Sequence, residues 1–436
     1  MSNELFGLLA LVALFGAIFI GFPIAFTLGA VALGAGFVAF GPMVFDLAVL
    51  QTFSVMKDTV LASIPFFLFM GFLLEQSGLM ERMFTGIQQL LAGLRGSLYL
   101  AVLITATIFA AATGIVGSSV TLLGVMAGPA MIKSGYDAKL SAGAIAAGGT
   151  LGILIPPSVM LIVMGPVVGV PATDLFAAAV IPGLLLATIF TVWCLVRCWL
   201  NPALGPALPP EMRGTSMAAV IKDLTIGVLP VIVVIMATLG VILMGIATPT
   251  DAGAVGCTAV FFLTLLTRRM TMAKIRRAAY QSLEVSSMIL MLVAASNLFG
   301  AVFSRLGSAE YLASLLTSLA LPPTLMLIVI LGLIFILGWP LEWVPIVLIV
   351  VPIVLPIVHA LNIDLIWFCT LVAMTLQTAW LSPPVALSAY FLKGVVPQWE
   401  LKQIYSGMVQ FMILQLVGVG LVLAFPQLAT WMVTRN

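Results

Sequence analysis

The chain has 436 residues, of which 63% are hydrophobic and only 7% charged, with a net charge of +2. Soluble domains carry about 25% charged residues, so a soluble fold of this length is excluded. The small net charge gives no sign of a nucleic-acid partner. The few Lys and Arg residues bear on orientation in a bilayer instead.

The first residues, Met1-Ser2-Asn3-Glu4, lack the basic region that opens a cleavable signal peptide, so none is expected. A bilayer crossing needs roughly 20 apolar residues. Candidate spans follow at 5–20, 22–40 and 61–78. The next apolar segment, 98–132, is too long for one crossing and breaks at Thr113-Gly114-Ile115-Val116-Gly117-Ser118-Ser119. Beyond it come 139–165, broken around Gly148-Gly149-Thr150-Leu151-Gly152-Ile153-Leu154-Ile155-Pro156-Pro157-Ser158, and then 175–196. A linker at 201–223, with Arg213 and Lys222, separates these from spans at 224–246, 250–267 and 280–303. A second overlong segment, 323–361, breaks at Gly338-Trp339-Pro340-Leu341-Glu342. The series ends with 365–391, broken at Gln377-Thr378-Ala379-Trp380-Leu381-Ser382-Pro383-Pro384, and 405–431. The arms of the two overlong segments are short for full crossings, so each reads as a re-entrant hairpin. Irregular backbone at membrane depth requires a cover of protein or a watery cavity.

The punctuation repeats. Pro129, Asp137 and Pro156-Pro157 return as Pro356, Asp364 and Pro383-Pro384, each 227 residues later (356 − 129, 364 − 137, 383 − 156). Each proline removes a helix hydrogen bond, so a Pro-Pro pair in an apolar run is rare and its repetition is not accidental. Charge placement gives the sense of the repeat. The cluster Arg268, Arg269, Lys274, Arg276 and Arg277 has a first-half counterpart, 41–50, without Lys or Arg. Arg82, Arg95, Lys133 and Lys139 face bare loops in the second half, and Lys393 and Lys402 face bare 166–175 in the first. Basic loops are cytoplasmic, so the halves 1–200 and 224–436 are expected to insert in opposite orientations. Five spans and one hairpin per half put both chain ends outside the cytoplasm. Arg305, Lys57 and Arg435 fit that topology least well. The expected fold is an all-α polytopic membrane protein of two inverted repeats.

Glycines and prolines that unwind a span free carbonyls, and freed carbonyls coordinate cations. Two broken spans facing two hairpin tips would make two related oxygen-lined sites suited to a hard cation such as Na⁺. Helix kinking alone is the competing account of one such break; its duplication beside an interrupted hairpin favours a site. Glu342 reads either as a cation or proton ligand or as an interfacial carboxylate, and sequence leaves both open. Asp137 and Asp364 read as helix caps, and Asp251 as a capping residue in a turn. His359 carries no functional reading. Trp339, Trp343 and Trp380 line the path, anchor at the interface or serve packing. Cys194, Cys198, Cys257 and Cys369 sit in apolar stretches with no ligand partners and read as structural.

At these motifs the chain resembles the large membrane subunit of TRAP transporters, the tripartite ATP-independent periplasmic systems. The resemblance runs nearly end to end. It is most specific at Met131-Ile132-Lys133-Ser134-Gly135-Tyr136-Asp137 and at Gly149 through Ser158, with support from Ala247 through Gly256 and from Leu381-Ser382-Pro383-Pro384-Val385. It implies an elevator-type, Na⁺-coupled importer in a bacterial inner membrane. It implies a small four-helix membrane subunit and a periplasmic substrate-binding protein that delivers an organic acid, with no organic cofactor. Carried over by motif, one Na⁺ site would use Thr113, Gly152, Ile155 and Pro156, and the other Gly338, Ala379, Ser382 and Val385. Ser118, Ser119, Pro157, Ser158, Glu342, Pro383 and Pro384 would border the substrate path. The chain departs from the family where Ile115-Val116 replaces serines at the first tip, where Trp339-Pro340-Leu341-Glu342 ends in Glu rather than Asp, and where Ala379 and Ser382 replace Gly and Thr.

A standalone secondary transporter of an organic anion is the second reading, which co-purification with a small membrane subunit would separate from the first. An intramembrane enzyme would need a nucleophile–base or metal constellation, and H-E-x-x-H and G-x-S-x-G are both missing. A channel has no need of two occluding hairpins, and no P-loop is present to drive a pump.

Overall fold

The computed structural model describes residues 2–208, 216–266, 270–319, 321–383 and 386–434, and among these the regular structure is helical throughout. Arg213, Arg268, Arg269, Pro384, Val385 and Arg435 lie outside the described residues.

The first half runs α1 (Asn3–Ile20), α2 (Ile24–Phe40), α3 (Met43–Lys57), α4 (Ser63–Gln76), α5 (Leu79–Leu90), α6 (Ser97–Thr113), α7 (Val116–Lys133), α8 (Ala138–Thr150), α9 (Val159–Val168) and α10 (Ala172–Leu200). The second runs α11 (Met217–Ile235), α12 (Val241–Leu243), α13 (Pro249–Leu266), α14 (Met272–Arg305), α15 (Ser308–Thr317) and α16 (Pro323–Gly338). It ends with α17 (Trp343–Pro345), α18 (Val351–Ala360), α19 (Leu365–Gln377), α20 (Leu387–Val395), α21 (Leu401–Ala424) and α22 (Gln427–Thr430). Wide π turns join α11 to α12 at Met236–Gly240 and α17 to α18 at Ile346–Val350.

Among the described residues, seven helices are long and apolar enough to cross a bilayer, and eight if α4 and α5, bent by 58° at Ser77-Gly78, form one span. Two of the seven, Val116–Lys133 and Trp343–Ala360, are arms of the interrupted segments. The broken spans expected at 139–165 and 365–391 are pairs of shorter helices, α8 with α9 and α19 with α20.

Boundaries differ from expectation where polar residues extend a helix past its apolar run. The helix expected at 280–303 begins at Met272, capped by the Thr271 hydroxyl, and its 34 residues reach about 51 Å. That is well beyond a hydrocarbon core of about 30 Å. Likewise α11 starts at Met217, inside the expected linker. Helices α3, α5 and α15 were not expected as separate elements. Glu81, Arg82 and Glu310 interrupt their apolar runs, so a search for long spans passes over α5 and α15.

The 227-residue spacing extends to the elements. Val116–Lys133 and Trp343–Ala360 begin and end 227 apart (343 − 116, 360 − 133), as do α8 and α19 (365 − 138, 377 − 150). The caps recur as well. Asp137 Oδ1 accepts from the Leu140 N–H at 2.8 Å, and Asp364 Oδ1 from the Trp367 N–H at 2.7 Å.

Two sets of closely packed helices stand out, in contact with each other through α6. In one, α4 lies against α13 and α14, α5 against α11, and α14 against α2 and α3. In the other, α8 is flanked by α6, α7 and α21, and α19 by α10, α16 and α21. Helix α8 is buried from Leu140 to Thr150. Its close approach to α21 depends on small residues, as helix contacts in membranes do. A Cβ on Gly407 would collide with the Lys139 carbonyl, and one on Gly143 would come within 2.5 Å of the Phe411 ring. On the outside, Leu9, Val12, Phe26, Val38 and Phe53 present exposed apolar side chains along α1 to α3.

Prolines inside the helices leave carbonyls to be satisfied from elsewhere. Pro352 has no N–H for the Leu348 carbonyl, and the Ser296 hydroxyl of α14 donates to it instead, tying α14 to the second hairpin.

Candidate functional site

Both broken spans follow one local logic. Helix α8 tightens into a 3-10 turn at Leu151–Ile153 and then loses helical form until Val159. Pro156 and Pro157 have no N–H for the carbonyls of Gly152 and Ile153, four residues back. The Ser158 hydroxyl donates to the Ile153 carbonyl. Gly152 keeps a carbonyl without its helical donor. The second break repeats this. Helix α19 tightens at Thr378–Trp380, Pro383 withdraws the donor from Ala379, and the Ser388 hydroxyl donates to the Trp380 carbonyl.

The hairpin tips abut these breaks. Gly114, at φ +63°, ends α6 and sits so close to the second proline of its break that a Cβ would lie 2.8 Å from the Pro157 carbonyl oxygen. A Cβ on Gly152 would lie 3.5 Å from the Ile115 nitrogen. At the other tip, a Cβ on Gly338 would lie 3.3 Å from that of Ala379. Hydroxyls nearby have committed their protons. Thr113 Oγ1 donates to the Phe109 carbonyl at 3.1 Å, and Ser382 Oγ to the Thr378 carbonyl at 2.7 Å. Both residues are buried, so what their oxygens still offer is lone pairs.

The two breaks touch each other. Gln377 Nε2 donates to Thr150 Oγ1 at 3.0 Å, and these residues are 227 apart in sequence. Both side chains are fully buried, and Gln377 Oε1 has no hydrogen-bond partner.

A cavity of about 150 Å³ opens where both tips meet. The first tip contributes Gly114 through Gly117, the second Glu342 through Val344, and Trp380 comes from the second break. Leu68 of α4 and Met288 and Ile289 of α14 close it from the other helix group. A smaller cavity lies between Gly338 through Glu342 and Ala379, Trp380 and Leu387.

Several residues expected near the substrate path do not line the central cavity. Ser118 faces the Glu75 carboxylate on α4, and Ser119 Oγ donates to the Ile115 carbonyl at 2.6 Å within its own helix. Neither lines the central cavity, nor do Pro157, Ser158 or Pro383. Ile155, Pro156 and Pro157 are buried behind the first tip. Of the three tryptophans, Trp343 and Trp380 line the central cavity, and Trp339 lines the smaller one. The four cysteines are buried free thiols. Sequence reasoning passed over Leu68, Met160, Val285, Met288 and Ile289, which line the cavity but belong to no repeated motif.

Residues 11–428 match the family described as "Tripartite ATP-independent periplasmic transporter, DctM component". The chain belongs to the DctM family of TRAP transporter large permeases. It is 30% identical over 347 residues to the C4-dicarboxylate TRAP transporter large permease DctM of Pseudomonas aeruginosa, covering 79% of this chain and 80% of that one. It is 27% identical over 434 residues to the sialic acid TRAP transporter large permease SiaM of Vibrio cholerae, covering 98% and 97%. Among solved structures, the Alcanivorax borkumensis YdaH transporter shares the fold, with a TM-score of 0.60 over 87% of each chain at 15% identity. The chain is thus a polytopic helical membrane protein and a subunit of a transporter, not an enzyme.

Proposed function

We propose that this permease imports an organic acid with Na⁺ as the coupling ion. Two inverted repeats, 1–200 and 224–436, each holding one broken span and one re-entrant hairpin, would carry the cargo by an elevator movement of the second helix group against the first. The observation behind this reading is the duplicated break. In each, a proline strips a carbonyl of its donor, a serine hydroxyl satisfies the next carbonyl, and a hairpin tip covers the gap.

The residues present fit a hard cation, because they offer backbone and hydroxyl oxygens whose own protons are directed elsewhere. Thr113, Gly152, Ile155 and Pro156 would hold one Na⁺, and Gly338, Ala379, Ser382 and Val385 the other. The ion's gradient supplies the driving force. The protein's part is to hold each tip against its break and to shut the cavity from water. The named relatives carry a C4-dicarboxylate and sialic acid, which supports an organic acid as the cargo class. A small membrane subunit, a periplasmic substrate-binding protein, an inner-membrane location and periplasmic termini complete the proposal.

Reconstitution tests it. With both partners present in proteoliposomes, uptake is expected to require an inward Na⁺ gradient and the binding protein. Undiminished uptake with Na⁺ replaced by K⁺ would remove Na⁺ from the mechanism.

A further inference from the structure

The cavity between the tips restricts which organic acid fits. Its walls are apolar: Ile115 and Val116 at the first tip, Met160, Met288 and Ile289 opposite, and the indoles of Trp343 and Trp380. Among the described residues lining it, none is Lys, Arg or His, and Glu342 is the one ionisable side chain. Glu342 lines both this cavity and the smaller one beside it.

We propose, on the reading that this permease carries an organic acid, that its cargo is a monocarboxylate with an apolar, ring-sized body. An apolar cavity of about 150 Å³ is large enough to take up a benzene-sized molecule. A dicarboxylate would bring its second carboxylate among apolar walls whose side chains include no Lys, Arg or His to pair with it, and beside the acidic Glu342. A polyhydroxylated sugar acid would bury hydroxyls against Ile115, Val116 and Met288, which offer them no partner. The single carboxylate has a place. Helices α7 and α9 begin at Val116 and Val159 on the cavity wall, and neither start has a side-chain cap, so their first backbone N–H groups are available to an anion. The cargo then lies with its carboxylate toward these helix starts, its ring against Trp343 and Trp380, and a neutral or hydrogen-donating end toward Glu342.

Equilibrium binding to the full chain in lipid nanodiscs, in Na⁺ buffer, tests this without the binding protein's own selectivity. The probes are phenylacetate, 4-methyl-2-oxopentanoate, succinate and gluconate. The first two are expected to bind at least ~10-fold more tightly than the others, the discrimination that unpaired buried polar groups impose. Glu342→Gln is expected to narrow the phenylacetate-to-succinate ratio, and Ile115→Ser the phenylacetate-to-gluconate ratio. The unmodified chain alone already decides the matter if a variant fails to fold. Succinate or gluconate binding as tightly as phenylacetate overturns this inference and leaves the organic-acid reading standing. Binding of none of the four also overturns this inference, while the organic-acid reading stands or falls on the uptake assay.

Discussion

Gly114→Ala isolates what the first hairpin tip does. Gly114 sits at φ +63° and presses on the backbone of the neighbouring break, with 2.8 Å between an added Cβ and the Pro157 oxygen. Holding alanine in the left-handed region costs about 1–2 kcal/mol. The methyl group also cannot share space with a carbonyl oxygen, so the seated tip is penalised and a withdrawn tip is not. If Na⁺ binds where Thr113 and Gly152 come together, that penalty is charged against the ion. The half-saturating Na⁺ concentration is then expected to rise roughly 5–30-fold, since each 1.4 kcal/mol is about a factor of ten. The assay is Na⁺-dependent thermal stabilisation of the purified chain, repeated as Na⁺ titration of uptake in proteoliposomes. Gly300→Ala is the control, because nothing lies within 4 Å of a Cβ there. A Gly114→Ala protein that folds and retains the unmodified Na⁺ dependence refutes the argument.

Three further outcomes are expected. Thr150→Val leaves Gln377 Nε2 without its acceptor and should cost about 1–3 kcal/mol of stability, whereas adding Gln377→Leu should recover most of it; a double-mutant cycle by thermal or chemical unfolding measures the coupling. Ser296→Ala exposes the Leu348 carbonyl opposite Pro352 and should cost about 1–3 kcal/mol, with hydrogen exchange rising in the second hairpin rather than the first. Asp137→Ala and Asp364→Ala each remove a helix cap worth about 1 kcal/mol, and melting temperatures should fall by similar amounts in both, with Na⁺ dependence unchanged.

Local chemistry was legible in the sequence because its cause is local. A Pro-Pro pair removes two donors wherever it stands, and Asp137 and Asp364 cap helices from their immediate surroundings. The breaks, the caps and the repeat spacing could therefore be read from residue order. The helices α5 and α15 were hidden because their charged residues interrupt the long apolar run that marks a span. The starts of α11 and α14 were misplaced because apolarity and helicity end at different residues. The cavity wall was illegible for a third reason. Leu68, Met288 and Ile289 are ordinary apolar residues on α4 and α14, and only the meeting of two helix groups makes them a lining. Ser118, expected to border the substrate path, hydrogen-bonds Glu75 from its position on α7.

The Thr150–Gln377 bond bears on how alike the two halves are. In the proposed twofold arrangement, a residue bonded to its own repeat counterpart stands on the symmetry axis. Two identical half-sized chains pairing about that axis would bring the same residue face to face, threonine on threonine or glutamine on glutamine. A donor amide on one side and an acceptor hydroxyl on the other is open only to halves whose sequences differ at that position. In that arrangement the bond is a place where the two halves depart from the symmetry that relates them.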